Sequence, residues 1–274
     1  MKKRTFLLFF LGLLAFQLNA QLLTKKPFVL GETLEINSVQ LGEKRSLNIY
    51  LPAGYNPDSA RRYPVIYLLD GSAGEDFVHV AGLVQFWNMM QMMPPTIVVG
   101  IGNVDRRRDF TYPSTDAQDQ KDFPTTGGSA KFIAFLEKEL QPSVNQQYKT
   151  RGKGMLIGQS LGGLLATEVL LTKSELFDQY VIVSPSLWWD KQSLSQNAAA
   201  MFAKQPDSPR QVFVAVGEEG KVMTPLARKL SETLKKSGKK NLSTHFAYMP
   251  DEDHATILHL AVYKAFKWFY PAQK

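Results

Sequence analysis

The chain has 274 residues, 44% apolar and 21% charged, and its 32 basic and 25 acidic side chains give a formal charge of +7. It has no cysteine, which excludes disulfides, thiolate metal sites, a cysteine nucleophile and a lipidated N-terminal cysteine. The positive excess is mild and no basic stripe interleaves with aromatics, so nucleic acid is not an expected partner.

In chain order, the first expected element is a leader. Lys2, Lys3 and Arg4 precede an apolar run from Phe6 to Phe16, and Leu18-Asn19-Ala20 ends in a small residue before Gln21. That pattern predicts a secretory signal peptide over residues 1–20 and a mature chain in the periplasm or outside the cell. The apolar run is short for a bilayer span, and nothing later is long and apolar enough to make one. Stable membrane insertion after leader removal is therefore not expected. Residues 21–274 read as a single domain of ordinary size.

Thr33–Ser38 and Ser46–Leu51 alternate polar and apolar residues around Gly42-Glu43, which predicts an antiparallel hairpin. Pro64–Leu69, Thr96–Ile101, Met155–Ile157, Tyr180–Val183 and Val212–Val216 are continuous apolar runs, the pattern of parallel strands buried on both faces. Helical spacing lies between them: Phe132, Ile133, Phe135, Leu136 and Leu140 before Pro142, then Gly163–Leu171, then Leu226, Leu230 and Leu234 ending at Gly238. Thr244–Met249 reads as a further strand, and the last helix runs from about Thr256 to Tyr270, stopped by Pro271. Ser72–Pro95 and Ser186–Pro209 read as long irregular insertions after strands. Strands alternating with helices predict an α/β fold, a doubly wound, mostly parallel sheet with the hairpin at its N-terminal side.

Chemistry concentrates at Gly158-Gln159-Ser160-Leu161-Gly162, a G-x-S-x-G sequence between an apolar strand and a helix. A sharp strand-to-helix turn exposes the serine oxygen, and glycines flank it because a Cβ would collide within the turn. A serine hydroxyl becomes a nucleophile only when a base takes its proton, and the base is a histidine oriented by a carboxylate. Three histidines follow Ser160. His254 lies in the polar loop Asp251–Ala255, between a strand and the last helix, where it can meet the elbow. His245 lies within a strand pattern and His259 within a helix, and upstream His79 reads as site wall or surface. The carboxylate belongs after the fifth buried strand, at Gly217-Glu218-Glu219-Gly220. Glu219 is preferred over Glu218 because a residue beyond the strand end can turn back toward the histidine. Asp251, Asp253 and Asp190 are rivals, and a solvated acidic loop is the plain reading of the first two. Two backbone amides would stabilise the oxyanion: Leu161, and Ser72 or Gly71 in the turn after the strand ending at Leu69.

These residues, with Asn48–Tyr55, Tyr63–Gly71, Asn103–Thr111 and Asp253-His254, make the chain resemble the esterase D-like family of α/β-hydrolases over about Leu30–Tyr270. That family includes formylglutathione hydrolases, siderophore trilactone esterases, feruloyl and acetyl-xylan esterases and mycolyl transferases. The resemblance implies a serine esterase with Ser160 as nucleophile, His254 as base and the acid after Val216. The arginine-rich loop Arg106–Arg108 is most similar to the siderophore-esterase branch, whose basic residues suit anionic catecholates. It makes Arg106 and Arg108 candidate substrate contacts, against structural pairing with Asp105 or Asp109. Trp188 and Trp189 are candidates for an aromatic wall, or for core packing. The expected partner is a small-molecule or carbohydrate ester, and the chemistry needs no metal or organic cofactor. Acyl transfer by the same residues, or a hydrolase-shaped binding protein that turns nothing over, are the alternatives.

Overall fold

The structure, a computed structural model, describes residues 24–272. The leader expected over residues 1–20 lies outside them. Among the described residues, eight strands form one sheet: β1 (Glu32–Ser38), β2 (Glu43–Tyr50), β3 (Val65–Leu68), β4 (Ile97–Ile101), β5 (Met155–Gln159), β6 (Gln179–Val183), β7 (Arg210–Gly217) and β8 (Leu242–Met249). Their order across the sheet is β1-β2-β4-β3-β5-β6-β7-β8. β1 pairs with β2, and β2 with β4, antiparallel; every other pair is parallel. The expected hairpin is present, with Glu32 opposite Ile49 and Ser38 opposite Glu43. The central strands are apolar throughout because helices cover both faces: β3 and β4 are buried at every residue.

Strand order reverses direction between β3 and β5, since β4 lies on one side of β3 and β5 on the other. Such a switch point leaves a crevice at the carboxyl edge of the strands. Side chains after β3, β5, β6, β7 and β8 converge on that edge.

The helices are α1 (Phe77–Met89), α2 (Arg106–Phe110), α3 (Ala117–Asp122), α4 (Ser129–Phe135), α5 (Gln141–Gln147), α6 (Leu161–Thr172), α7 (Trp189–Ala203), α8 (Gly220–Lys235) and α9 (Ile257–Phe269). Two of them correct the sequence reading. The supposedly irregular segments 72–95 and 186–209 contain α1 and α7. α1 buries Phe77, Val80, Ala81, Val84 and Trp87, which is helical spacing. Its outer face carries exposed Val78, Phe86 and Met89, and the apolar residues on both sides hid the period. α7 opens with Asp190, Lys191 and Gln192 at φ of 49°, 51° and 66°, so its first turn is left-handed.

A third correction concerns Pro142, which does not end the helix begun at α4. Leu136–Leu140 widens into a π-helical turn in which the Gln141 amide donates to the Leu136 carbonyl. A proline lacks the amide and crowds the carbonyl four residues back, and the wider turn accommodates both effects at the start of α5.

α6 also carries Glu168, a partly buried acid whose Oε2 is shut off from solvent. Its Oε2 has no hydrogen-bond partner among the described residues, and burial pushes its carboxyl up from 4.5 to about 7. The folded chain therefore holds this proton more tightly than the unfolded chain. Stability from this group is present below pH 4.5 and lost as pH rises to 7, a cost on the order of 3 kcal/mol. Glu168→Gln is neutral at every pH and should escape that loss. We expect the Tm of the variant relative to wild type to be higher at pH 8.5 than at pH 5. An equal difference at both pH values would contradict this assignment.

Candidate active site

β5 ends at Gln159, and the chain turns through Ser160 into α6. Ser160 has φ 58° and ψ −119°, a left-handed conformation unusual for a residue with a Cβ. Such strain costs about 1–3 kcal/mol and persists where surrounding packing enforces it. The Ser160 amide donates to the Val183 carbonyl at 3.1 Å, which pins the turn to β6. At Gly158 a Cβ would lie 2.4 Å from the Gly162 carbonyl oxygen, so the strand and helix could not close on one another with any other residue there.

His254 lies in the turn between β8 and α9. Two contacts hold it at the elbow. The Gln159 side-chain amide donates to the His254 carbonyl at 2.5 Å, and His254 Nδ1 lies 2.6 Å from Glu219 Oε2. An ionised carboxylate can only accept, so Nδ1 carries the proton. In the neutral ring, Nε2 is then left with a lone pair. The imidazole is 47% exposed while the Glu219 side chain is 4% exposed, so solvent reaches the ring but not the carboxylate.

Glu219 follows β7 directly. Burial pushes its carboxyl up, but bonds from His254, the Ser184 hydroxyl and the Gly217 amide outweigh that and hold it below its ordinary value. The adjacent Glu218 points elsewhere: its Oε2 accepts from the Tyr248 hydroxyl. Of the two carboxylates that the sequence leaves open, Glu219 is the one in contact with the imidazole. Of the rival acids, Asp251 is exposed and makes no hydrogen bond with the imidazole, and the other two have partners of their own. Asp253 Oδ1 caps the Ala255 and Thr256 amides at 2.8 and 3.1 Å. Asp190 Oδ1 accepts from the Thr115 amide and hydroxyl at 2.7 and 2.8 Å.

The Ser160 hydroxyl itself bonds to the Ser186 hydroxyl at 3.3 Å and makes no hydrogen bond with His254 in this conformation. Of the two expected oxyanion donors, Leu161 opens α6, so its amide has no intrahelical acceptor. The Ser72 amide is occupied, donating to Glu75 Oε2 at 3.2 Å. The Gly71 amide is committed to the Ile101 carbonyl at 3.0 Å.

Both arginines singled out in the sequence are paired with carboxylates. Arg106 makes a bidentate bridge to Asp70, Nε to Oδ1 at 2.6 Å and Nη2 to Oδ2 at 2.9 Å, and also reaches the Gln159 carbonyl at 3.3 Å. Its partner is neither Asp105 nor Asp109, and the contact braces the strand that leads into Ser160. Arg108 binds Asp109 at 2.8 Å and Glu43 at 2.6 Å, within a cluster that also holds buried Arg45. Arg107, which sequence reasoning passed over, forms no salt bridge among the described residues and sits 4.9 Å over the Phe123 ring. Trp188 is half-buried, its ring 6.0 Å from Phe123, whereas Trp189 is fully buried and donates to the Tyr112 carbonyl. The other histidines stand apart from this contact: His79 stacks on His259 and His245 on Phe213.

A doubly wound sheet with a strained serine at the β5–α6 turn, and a histidine and glutamate joined at the same edge, defines an α/β-hydrolase. Comparison with known proteins narrows this. The sequence profile described as "Putative esterase" matches residues 38–258, and the chain belongs to that family and is a carboxylic ester hydrolase. It is 29% identical over 246 residues to the ferri-bacillibactin esterase BesA of Bacillus subtilis, covering 82% of this chain and 85% of that protein. It superposes on an IroE-like serine hydrolase from Shewanella oneidensis with a TM-score of 0.80 at 32% identity, covering 89% and 82% of the two chains. The BES protein of Bacillus cereus gives 0.79 at 30%, covering 91% and 100%.

Proposed function

We propose that this chain is an exported serine esterase that opens the ester bonds of a siderophore through an acyl-enzyme, with residues 21–274 acting as one esterase domain. The observation that carries the mechanism is the His254–Glu219 contact, held by Gln159 beside the strained Ser160. Ser160 Oγ rotates from Ser186 toward His254 Nε2, which takes its proton as Oγ attacks the ester carbonyl. Such contacts commonly tighten only once substrate is bound. Glu219 keeps the proton on Nδ1 and stabilises the imidazolium. The Leu161 amide meets the developing oxyanion, and the Ser72 amide joins it by exchanging Glu75 for that oxygen. His254 then protonates the leaving alcohol, and a water activated by the same imidazole releases the acid and restores Ser160.

The siderophore assignment rests on the family and on the printed activity of BesA, a ferri-bacillibactin esterase. Trp188 supplies an apolar wall for an aryl group. Arg106 braces the strand before Ser160 through Asp70 and the Gln159 carbonyl, and Arg108 ties Asp109 to Glu43 away from the serine. Export rests on the leader pattern over residues 1–20.

The test is a turnover panel of trilactone siderophores, iron-loaded and iron-free, feruloylated and acetylated sugars, and short p-nitrophenyl esters. The trilactones should give the highest kcat/KM. A panel led by the sugar esters would overturn the siderophore assignment, and turnover of none would overturn the reading as a whole.

A further inference from the structure

We propose that Ser184 is a positioning residue for ester hydrolysis: its buried hydroxyl, aimed by a left-handed backbone turn, fixes one oxygen of Glu219 so that the other meets His254. This rests on the reading of Ser160, His254 and Glu219 given above.

Ser184 is the first residue beyond β6. Its φ is 42°, a conformation disfavoured for any residue with a Cβ, and it is fully buried. Its amide donates to the Ala215 carbonyl of β7 at 2.8 Å, so the turn is locked to the strand that delivers Glu219. The hydroxyl donates to Glu219 Oε1, which also accepts the Gly217 amide at 3.2 Å. With Oε1 held by two donors, Oε2 is left for His254 Nδ1 at 2.6 Å. A glycine would adopt this φ without strain. What serine adds is the hydroxyl, and its acceptor is the acid of the proposed mechanism. A strained residue retained beside reacting groups is the pattern expected where geometry serves chemistry.

The same strap reaches the other end of the site. Ser186, two residues on, donates its amide to the Ser160 carbonyl at 3.0 Å, and its hydroxyl lies 3.3 Å from Ser160 Oγ. The turn after β6 therefore bears on the acid at one end and on the nucleophile at the other. The other ionisable groups of the neighbouring turns are Glu218, whose carboxylate accepts from Tyr248, Glu252, whose carbonyl accepts the Glu218 amide at 2.8 Å, Asp253, whose Oδ1 accepts the Ala255 and Thr256 amides, and the exposed Asp251. None supplies a donor to Glu219.

Removing the hydroxyl concentrates charge on the carboxylate, which then holds an imidazolium proton more strongly. Ser184→Ala should therefore lower kcat about tenfold with little change in KM, the size expected for one lost bond to a charged group. The acid limb of its kcat/KM profile on p-nitrophenyl acetate should move to higher pH. Ser184→Gly also lacks the hydroxyl but relieves the backbone, so it should show the same kinetic shift with a higher Tm than the alanine variant. A wild-type profile in both variants, or a shift in alanine alone, overturns the proposal. Ser160→Ala measured alongside separates the two readings. Activity retained there defeats the nucleophile assignment itself, whereas an inactive Ser160→Ala with unshifted Ser184 variants defeats only the role of Ser184.

Discussion

Ser160→Ala should lower kcat by about a million-fold, the loss seen when the nucleophile of a serine hydrolase triad is removed. The size follows from how the catalytic groups depend on one another. His254 has nothing to deprotonate once the hydroxyl is gone, so its contribution and that of Glu219 vanish with it. The fold should survive. The substitution removes one half-buried hydroxyl whose only hydrogen bond among the described residues is to Ser186 at 3.3 Å. Alanine meets the same positive φ as serine, and the turn stays pinned by the amide bond to Val183. The check is kcat on p-nitrophenyl acetate together with Tm. Wild-type turnover at unchanged Tm would remove Ser160 from the mechanism.

Glu219→Gln carries the second largest expected effect and is most informative beside Glu218→Gln. A glutamine side chain can turn its amide toward His254 Nδ1, which favours the opposite tautomer and leaves Nε2 protonated and unable to take the serine proton. The analogous change in a serine protease triad costs about 10,000-fold in kcat, and a loss of that order is expected here. Glu218→Gln should leave kcat within about twofold, because its carboxylate meets the exposed Tyr248 hydroxyl and surface contacts of that kind contribute little. Kinetics of the two variants on one substrate provide the check. Equal losses, or a larger loss at Glu218, would contradict the assignment of the acid.

The neighbouring glutamates also show where the sequence stops being informative. Val212–Val216 marks a buried strand, and the doubly wound pattern puts an acid after it. Which of two consecutive carboxylates turns inward depends on the path of the next two residues. Here the Glu218 amide is drawn to the Glu252 carbonyl in the loop that carries His254, and this leaves Glu219 facing the imidazole. That bond links turns 34 residues apart, and no local pattern encodes it. The elbow was legible for the opposite reason. Its constraint is steric and local: a Cβ at Gly158 would meet the Gly162 carbonyl.

Arg106 was visible as a chemically unusual residue but not for its partner. Asp70 lies at a distant strand end, and only the adjacency of β3 and β4 brings the two together. The charge run alone suggests an anion site, whereas the fold pairs Arg106 and Arg108 with carboxylates. Arg107 became noticeable only because its neighbours on both sides are paired. α1 was missed because apolar residues on its outer face obscured the helical period, and α7 because its left-handed first turn has no helical signature in sequence. The Ser72 amide was expected to be open, and its bond to Glu75 depends on a carboxylate three residues along a loop with no periodicity to read.

The most direct test of the central claim is to find the residue that becomes acylated. The purified protein is treated with a fluorophosphonate and, separately, pulsed with an activated ester and quenched in acid, and each adduct is mapped by peptide mass spectrometry. A single adduct on the peptide containing Ser160, absent from Ser160→Ala, is the result predicted. An adduct on another residue, or ester turnover that persists after complete phosphonylation elsewhere, would contradict the account.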